Sequence, residues 1–104
     1  SVDLPDNDGW TPLMSAAYHN HAGSIKLLLE AGADKDAQDE DRTTALQYAA
    51  VNGNEAVVKV LLAVVCSVDL PANDGVTPLM RAALSNQTGT VNLLLEAGAD
   101  KDAQ

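Results

Sequence analysis

At 104 residues the chain is long enough for one domain and too short for a convincing second. Its 6 lysines and arginines stand against 15 aspartates and glutamates, a net charge of -9, which repels phosphate backbones and leaves no basic stripe to neutralise them. Nucleic acid and membrane surfaces are therefore poor partners; a basic protein surface is the favoured one, set against the plainer reading that excess acid keeps the chain soluble.

Ser1–Pro5 is acidic and leads into no apolar core, so it does not read as a signal peptide. In Thr11-Pro12-Leu13 the threonine can cap a helix and proline can occupy its first position, which predicts a helix over about Pro12–His19. The small Ala16 and Ala17 would let a neighbouring helix approach closely. A second helix is predicted at roughly Ser24–Ala31, where Ile25, Leu28 and Leu29 share one face. Gly32 then serves as a left-handed terminator. The polar stretch Ala33–Thr43 predicts an extended loop with a tight turn near Asp39–Asp41.

The same plan returns at a fixed offset of 33 residues without a gap. Thr11, Thr44 and Thr77 fall in step, as do Leu13, Leu46 and Leu79, and the pairs Ala16-Ala17, Ala49-Ala50 and Ala82-Ala83. That period marks a solenoid of stacked supersecondary units, here 6–38, 39–71 and 72–104 within a single domain 1–104. A longer period is superposed: LLLEAGADKDAQ occurs at Leu27–Gln38 and Leu93–Gln104, and SVDLP at Ser1–Pro5 and Ser67–Pro71. The first five residues thus read as the tail of a preceding unit, in a chain cut from a longer array or designed to imitate one. Helices of barely two turns are marginal alone, so the units must stack to make a core.

The longest apolar run, within Val57–Cys66, is broken by Lys59 and falls well short of the roughly 20 residues that span a bilayer. Cys66 is the only cysteine, which rules out an internal disulfide and agrees with a reducing, intracellular compartment.

The stretches Asp8-Gly-Trp-Thr-Pro-Leu-Met-Ser-Ala-Ala17 and Leu27-Leu-Leu-Glu-Ala-Gly-Ala-Asp34, matched by Asp74–Ala83 and Leu93–Asp100, make the chain similar to the ankyrin-repeat family over essentially its whole length. The resemblance implies an all-α solenoid of helix-turn-helix units joined by extended loops. It has departures. Met14, Gln47 and Met80 stand where the family usually has histidine, so that residue's hydrogen bonds to the turn backbone are expected to be absent. In the middle unit Arg42 replaces the turn glycine, Ala45 the proline and Val65 the terminating glycine, so Val64–Pro71 is expected to follow a different path from Ala31–Gln38. Gly23 and Gly89 would each weaken a helix by about 1 kcal/mol if they lay in its interior.

The resemblance implies no active site; it implies binding of another protein by the loop tips and the inner face of each first helix. Carried onto this chain, that surface is Asn7, Asp8, Trp10, Tyr18 and His19, then Glu40, Asp41, Thr43, Val51 and Asn52, then Asn73, Asp74, Val76, Leu84 and Ser85. Trp10 is the leading contact candidate because tryptophan and tyrosine dominate binding energies; its alternative role is to cover the edge of the first helix. Tyr48 reads as packing. His19 and His21 lack the further ligands that structural zinc demands, and no metal or cofactor site is expected. Cys66 reads as an inert packed thiol. The carboxylates Asp34, Asp36, Asp39, Glu40, Asp41, Asp100 and Asp102 lack an EF-hand pattern and read as solvated charge. No catalytic motif occurs, so an enzyme is not expected. The leading function is a protein-interaction module; the alternative is an engineered or reconstructed scaffold without a natural ligand. Since the chain carries no polar capping units, its outer units predict end-to-end self-association.

Overall fold

The computed structural model describes residues 2–64 and 67–100. Six helices follow one another, α1 (Pro12–Tyr18), α2 (Ala22–Glu30), α3 (Ala45–Asn52), α4 (Glu55–Ala63), α5 (Pro78–Leu84) and α6 (Thr88–Glu96), with no strand among the described residues. The first helices form one layer, with α3 packed between α1 and α5. The second helices form the other, with α4 between α2 and α6. The stack measures 36 × 25 × 21 Å.

Local chemistry sets where each first helix begins. The Oγ1 atoms of Thr11, Thr44 and Thr77 accept from the backbone N–H groups of Met14, Gln47 and Met80, each at 3.3 Å, and Pro12 and Pro78 occupy first positions whose N–H would have no helical partner. Helix α1 ends one residue before the expected His19 because Asn20 turns left-handed, at φ 60°. Helix α2 begins at Ala22, two residues earlier than expected, since Ile25 already closes a helical bond to the His21 carbonyl at 3.0 Å. Gly23 and Gly89 are therefore second residues of their helices, and the interior penalty does not apply.

Gly32 takes φ 91°, as the terminator reading requires. The middle unit differs at the equivalent point. Val64 caps α4 in an extended conformation (ψ 160°), whereas Ala31 caps α2 at ψ 1°, so the chain leaves α4 in another direction. Val65 and Cys66, on which two expectations fell, lie outside the described residues.

Ile25, Val57, Val58 and Leu94 are wholly buried and Leu61 nearly so, with Ala17, Ala49, Ala50 and Ala82 fully buried where first helices meet. Alanine here lets backbones approach at a distance no larger side chain would permit. An aspartate ladder ties the loops together. Asp3 accepts from the N–H of Asp34 at 2.9 Å, Asp36 from Ser67 at 2.8 Å and Asp69 from Asp100 at 2.9 Å, each bond crossing to the next loop along.

Candidate functional site

Three five-residue turns, 6–10, 39–43 and 72–76, are built alike. In each, the first N–H donates to the fifth carbonyl and the fourth N–H to the first carbonyl, at 2.9 to 3.1 Å. This geometry forces the fourth residue into the left-handed region, occupied by Gly9 (φ 80°), Arg42 (φ 60°) and Gly75 (φ 79°). Arginine meets Cβ repulsion there that glycine escapes. Arg42→Gly is accordingly expected to stabilise the chain by about 0.5–1 kcal/mol, read as a higher urea midpoint; an unchanged or lowered midpoint would refute the strain.

In the first two turns an aspartate carboxylate fastens the backbone. Asp6 Oδ1 accepts from Asp8 and Trp10, and Asp39 Oδ1 accepts from Asp41 and Thr43, at 2.9 to 3.0 Å. Asp39 is buried, and its second oxygen takes the Tyr48 hydroxyl. Asp36 likewise accepts from the N–H and hydroxyl of Ser67. These two carboxylates are structural, which corrects their reading as solvated charge. Burial first, then the hydrogen bond to and the charge of Asp39, push the Tyr48 phenol well above its ordinary value of 10.0. A raised folded value means stability that is fully present below pH 10 and lost as pH climbs beyond it, because the unfolded phenol releases its proton first. Absorbance at alkaline pH should thus show one phenol ionising only when the chain unfolds; both phenols ionising in the folded chain near pH 10 would contradict it.

The histidine substitution also needs correction. Its hydrogen bonds to turn backbone were expected to be absent, yet Gln47 supplies them. Its Nε2 donates to the carbonyls of Leu70 (3.2 Å) and Val76 (2.6 Å), and its Oε1 accepts from Arg81 Nε at 3.3 Å. Glutamine succeeds because its amide combines two donors with an acceptor. At Met14 the thioether accepts from the Thr11 N–H at 3.4 Å instead.

The fifteen surface candidates are distributed as follows. Asn7 and Asp8 are exposed on the first turn, Glu40 and Asp41 on the second, and Asn73 and Asp74 on the third. Trp10, Thr43, Val51 and Val76 are half-buried. Tyr18, His19, Asn52, Leu84 and Ser85 sit at the ends of α1, α3 and α5; Tyr18 is 41% and Leu84 76% exposed. Trp10 meets Tyr18 and Tyr48 at ring-centroid distances of 5.4 and 4.4 Å, and Tyr18 meets Tyr48 at 6.1 Å, so the three rings form one cluster. Asn52 Nδ2 is committed to the Tyr18 carbonyl at 2.9 Å.

A groove of about 420 Å³ runs between the second and third turns. It is lined by Asp41, Thr43, Val51, Asn73 and Asp74 from the candidate set, together with Gln47, Tyr48, Ala72 and Arg81. The other ten candidates do not line it. Tyr48, Gln47 and Arg81 were missed as site residues. Their positions, 48 and 81, share a register with Ser15, and that alignment was the signal that could have placed them on this face. Among the described residues no group of three or more His, Cys, Asp or Glu side chains could hold a metal ion, and no helix is long and apolar enough to cross a membrane.

A family profile described as ankyrin repeats (3 copies) matches residues 25–104, and one described as ankyrin repeat matches 8–40. The ankyrin repeat and SOCS box protein 3 of Homo sapiens is 42% identical over 36 residues, covering 35% of this chain but only 7% of that relative's length. Ankyrin repeats are generally non-catalytic modules of protein–protein interaction. With its helix pairs stacked in two layers and the three-copy profile spanning residues 25–104, the chain belongs to the ankyrin-repeat family.

Proposed function

We propose that this chain binds another protein across the face shared by the turn tips and the first helices, and that the partner presents basic and apolar groups there. The observation that carries this reading is the Trp10–Tyr18–Tyr48 cluster, whose rings are only partly covered, beside the exposed carboxylates Asp8, Glu40 and Asp41. Rigid aromatic side chains concentrate binding energy, and surrounding acid speeds encounter with a basic surface. The proposal includes the units 6–38, 39–71 and 72–104, with 1–5 acting as the tail of a preceding unit. In support, Asp3 engages Asp34 as Asp69 engages Asp100. It also includes a reducing, intracellular setting.

Affinity capture with the intact chain, Trp10→Ala and Tyr18→Ala tests it. Each substitution should reduce partner recovery about tenfold, the loss typical of an aromatic anchor; equal recovery with all three would remove the surface. A scaffold without a natural ligand would recover no specific partner at all.

A second reading, end-to-end self-association, is favoured by Leu27 at 68% and Leu95 at 43% exposure on the outer second helices, while Ala83 is exposed where Ala17 and Ala50 are wholly buried. Sedimentation as a clean monomer at high concentration would dismiss it.

A further inference from the structure

The groove between the second and third turns has two chemically different sides. Helix α3 contributes Tyr48 and Val51 as an apolar wall, and the two turn tips contribute the carboxylates of Asp41 and Asp74. Its one lining cation, Arg81, displays how such a guanidinium is held. The Arg81 Nη2 lies 3.3 Å from Asp74 Oδ2, and its Nε donates to Gln47 Oε1 at 3.3 Å. Gln47 is itself fixed by two backbone carbonyls, so this end of the groove is occupied and rigid.

The facing tip is different. Asp41 uses its N–H toward Asp39 Oδ1 and its carbonyl toward the Asn73 N–H, which anchors the backbone and turns no cation of the groove onto its exposed carboxylate. Tyr48 is likewise pinned, its hydroxyl held by Asp39. A carboxylate at the mouth, a fixed aromatic wall beside it and a chain-wide charge of -9 together define a receptor for one more cation.

We propose that this groove seats a single arginine side chain from an extended basic segment of the partner protein, its guanidinium on the Asp41 carboxylate and its aliphatic stem along Tyr48 and Val51. The proposal rests on the protein-binding reading of this face. Arginine fits better than lysine because its flat guanidinium both forks a carboxylate and stacks on an aromatic ring, whereas an ammonium is a compact, strongly hydrated charge. An acidic segment fits poorly, since Arg81 is already committed to Asp74 and Gln47.

The test uses the full chain and a blocked glycine-arginine-glycine tripeptide at low salt, followed by backbone amide NMR shifts. Saturable shifts are expected at Asp41, Thr43 and Asn73, absent with citrulline in place of arginine and weaker with lysine. Asp41→Asn should weaken binding about fivefold, the scale of an exposed ion pair, while Glu96→Gln on α6 should leave it unchanged. Because Asp41 is exposed, its amide variant should keep the parent spectrum elsewhere. No saturable shift, shifts scattered over many carboxylates, or equal binding by the citrulline peptide or the Asp41 variant would overturn the proposal. If the arginine peptide fails while Trp10→Ala and Tyr18→Ala still lose the partner, only the arginine seat falls; if those variants keep the partner, the protein-binding reading falls as well.

Discussion

Replacing Gln47 by leucine is expected to destabilise the chain by about 2–4 kcal/mol, although leucine is apolar, similar in size and placed in a site only 1% exposed. The reason lies in the groups left behind. Two carbonyls, of Leu70 and Val76, would lose the Nε2 donor that now reaches them from α3, and Arg81 Nε would lose its acceptor. Removing one partner of a partly buried hydrogen bond leaves the desolvation of the other uncompensated, at about 1–3 kcal/mol per group. Gln47→His should recover at least half of the loss, because a ring nitrogen can donate to one of the same carbonyls. Urea unfolding of the three proteins decides it. A leucine variant within about 0.5 kcal/mol of the parent would mean that the loop carbonyls find water at no penalty.

Glutamine at this position also shows what could be read in advance and what could not. The stack was legible because its causes are local and repeated: a threonine cap, a proline at the first helical position and leucines three or four residues apart recur every 33 residues. Gly32 at φ 91° followed from the same local logic. Contacts joining one repeat to the next were harder. Gln47 reaches residues 23 and 29 positions away, and Asp36 reaches Ser67 across 31; no local pattern separates such a carboxylate from a solvated neighbour like Glu40. Asp39 was misjudged for the same reason, since only the fold brings Tyr48 over it. The aromatic cluster was half legible. Trp10 and Tyr18 were singled out by residue type, while their junction through Tyr48 depends on how α1 stacks on α3.

The largest loss is expected at Leu61→Ala, about 2–5 kcal/mol, because Leu61 is 1% exposed on α4, which packs against α2, α3 and α6. Domains of this size have total stabilities of about 5–15 kcal/mol, so the variant could unfold in buffer at moderate temperature. Leu28 stands 33 residues earlier in the same register, but it is only half-buried on α2. The side chain removed by Leu28→Ala is identical, so any difference between the two losses measures the contribution of the neighbouring helix pair rather than the helix's own chemistry. Leu28→Ala should therefore destabilise by less than half as much, and Leu27→Ala, on the 68% exposed face, by no more than about 0.5 kcal/mol. Urea midpoints ordered Leu61, Leu28, Leu27 from largest loss to smallest would follow from a stack in which each pair stabilises the next. Equal losses at Leu28 and Leu61 would show instead that each pair carries its own core, and the argument that stacking creates the binding face would lose its footing.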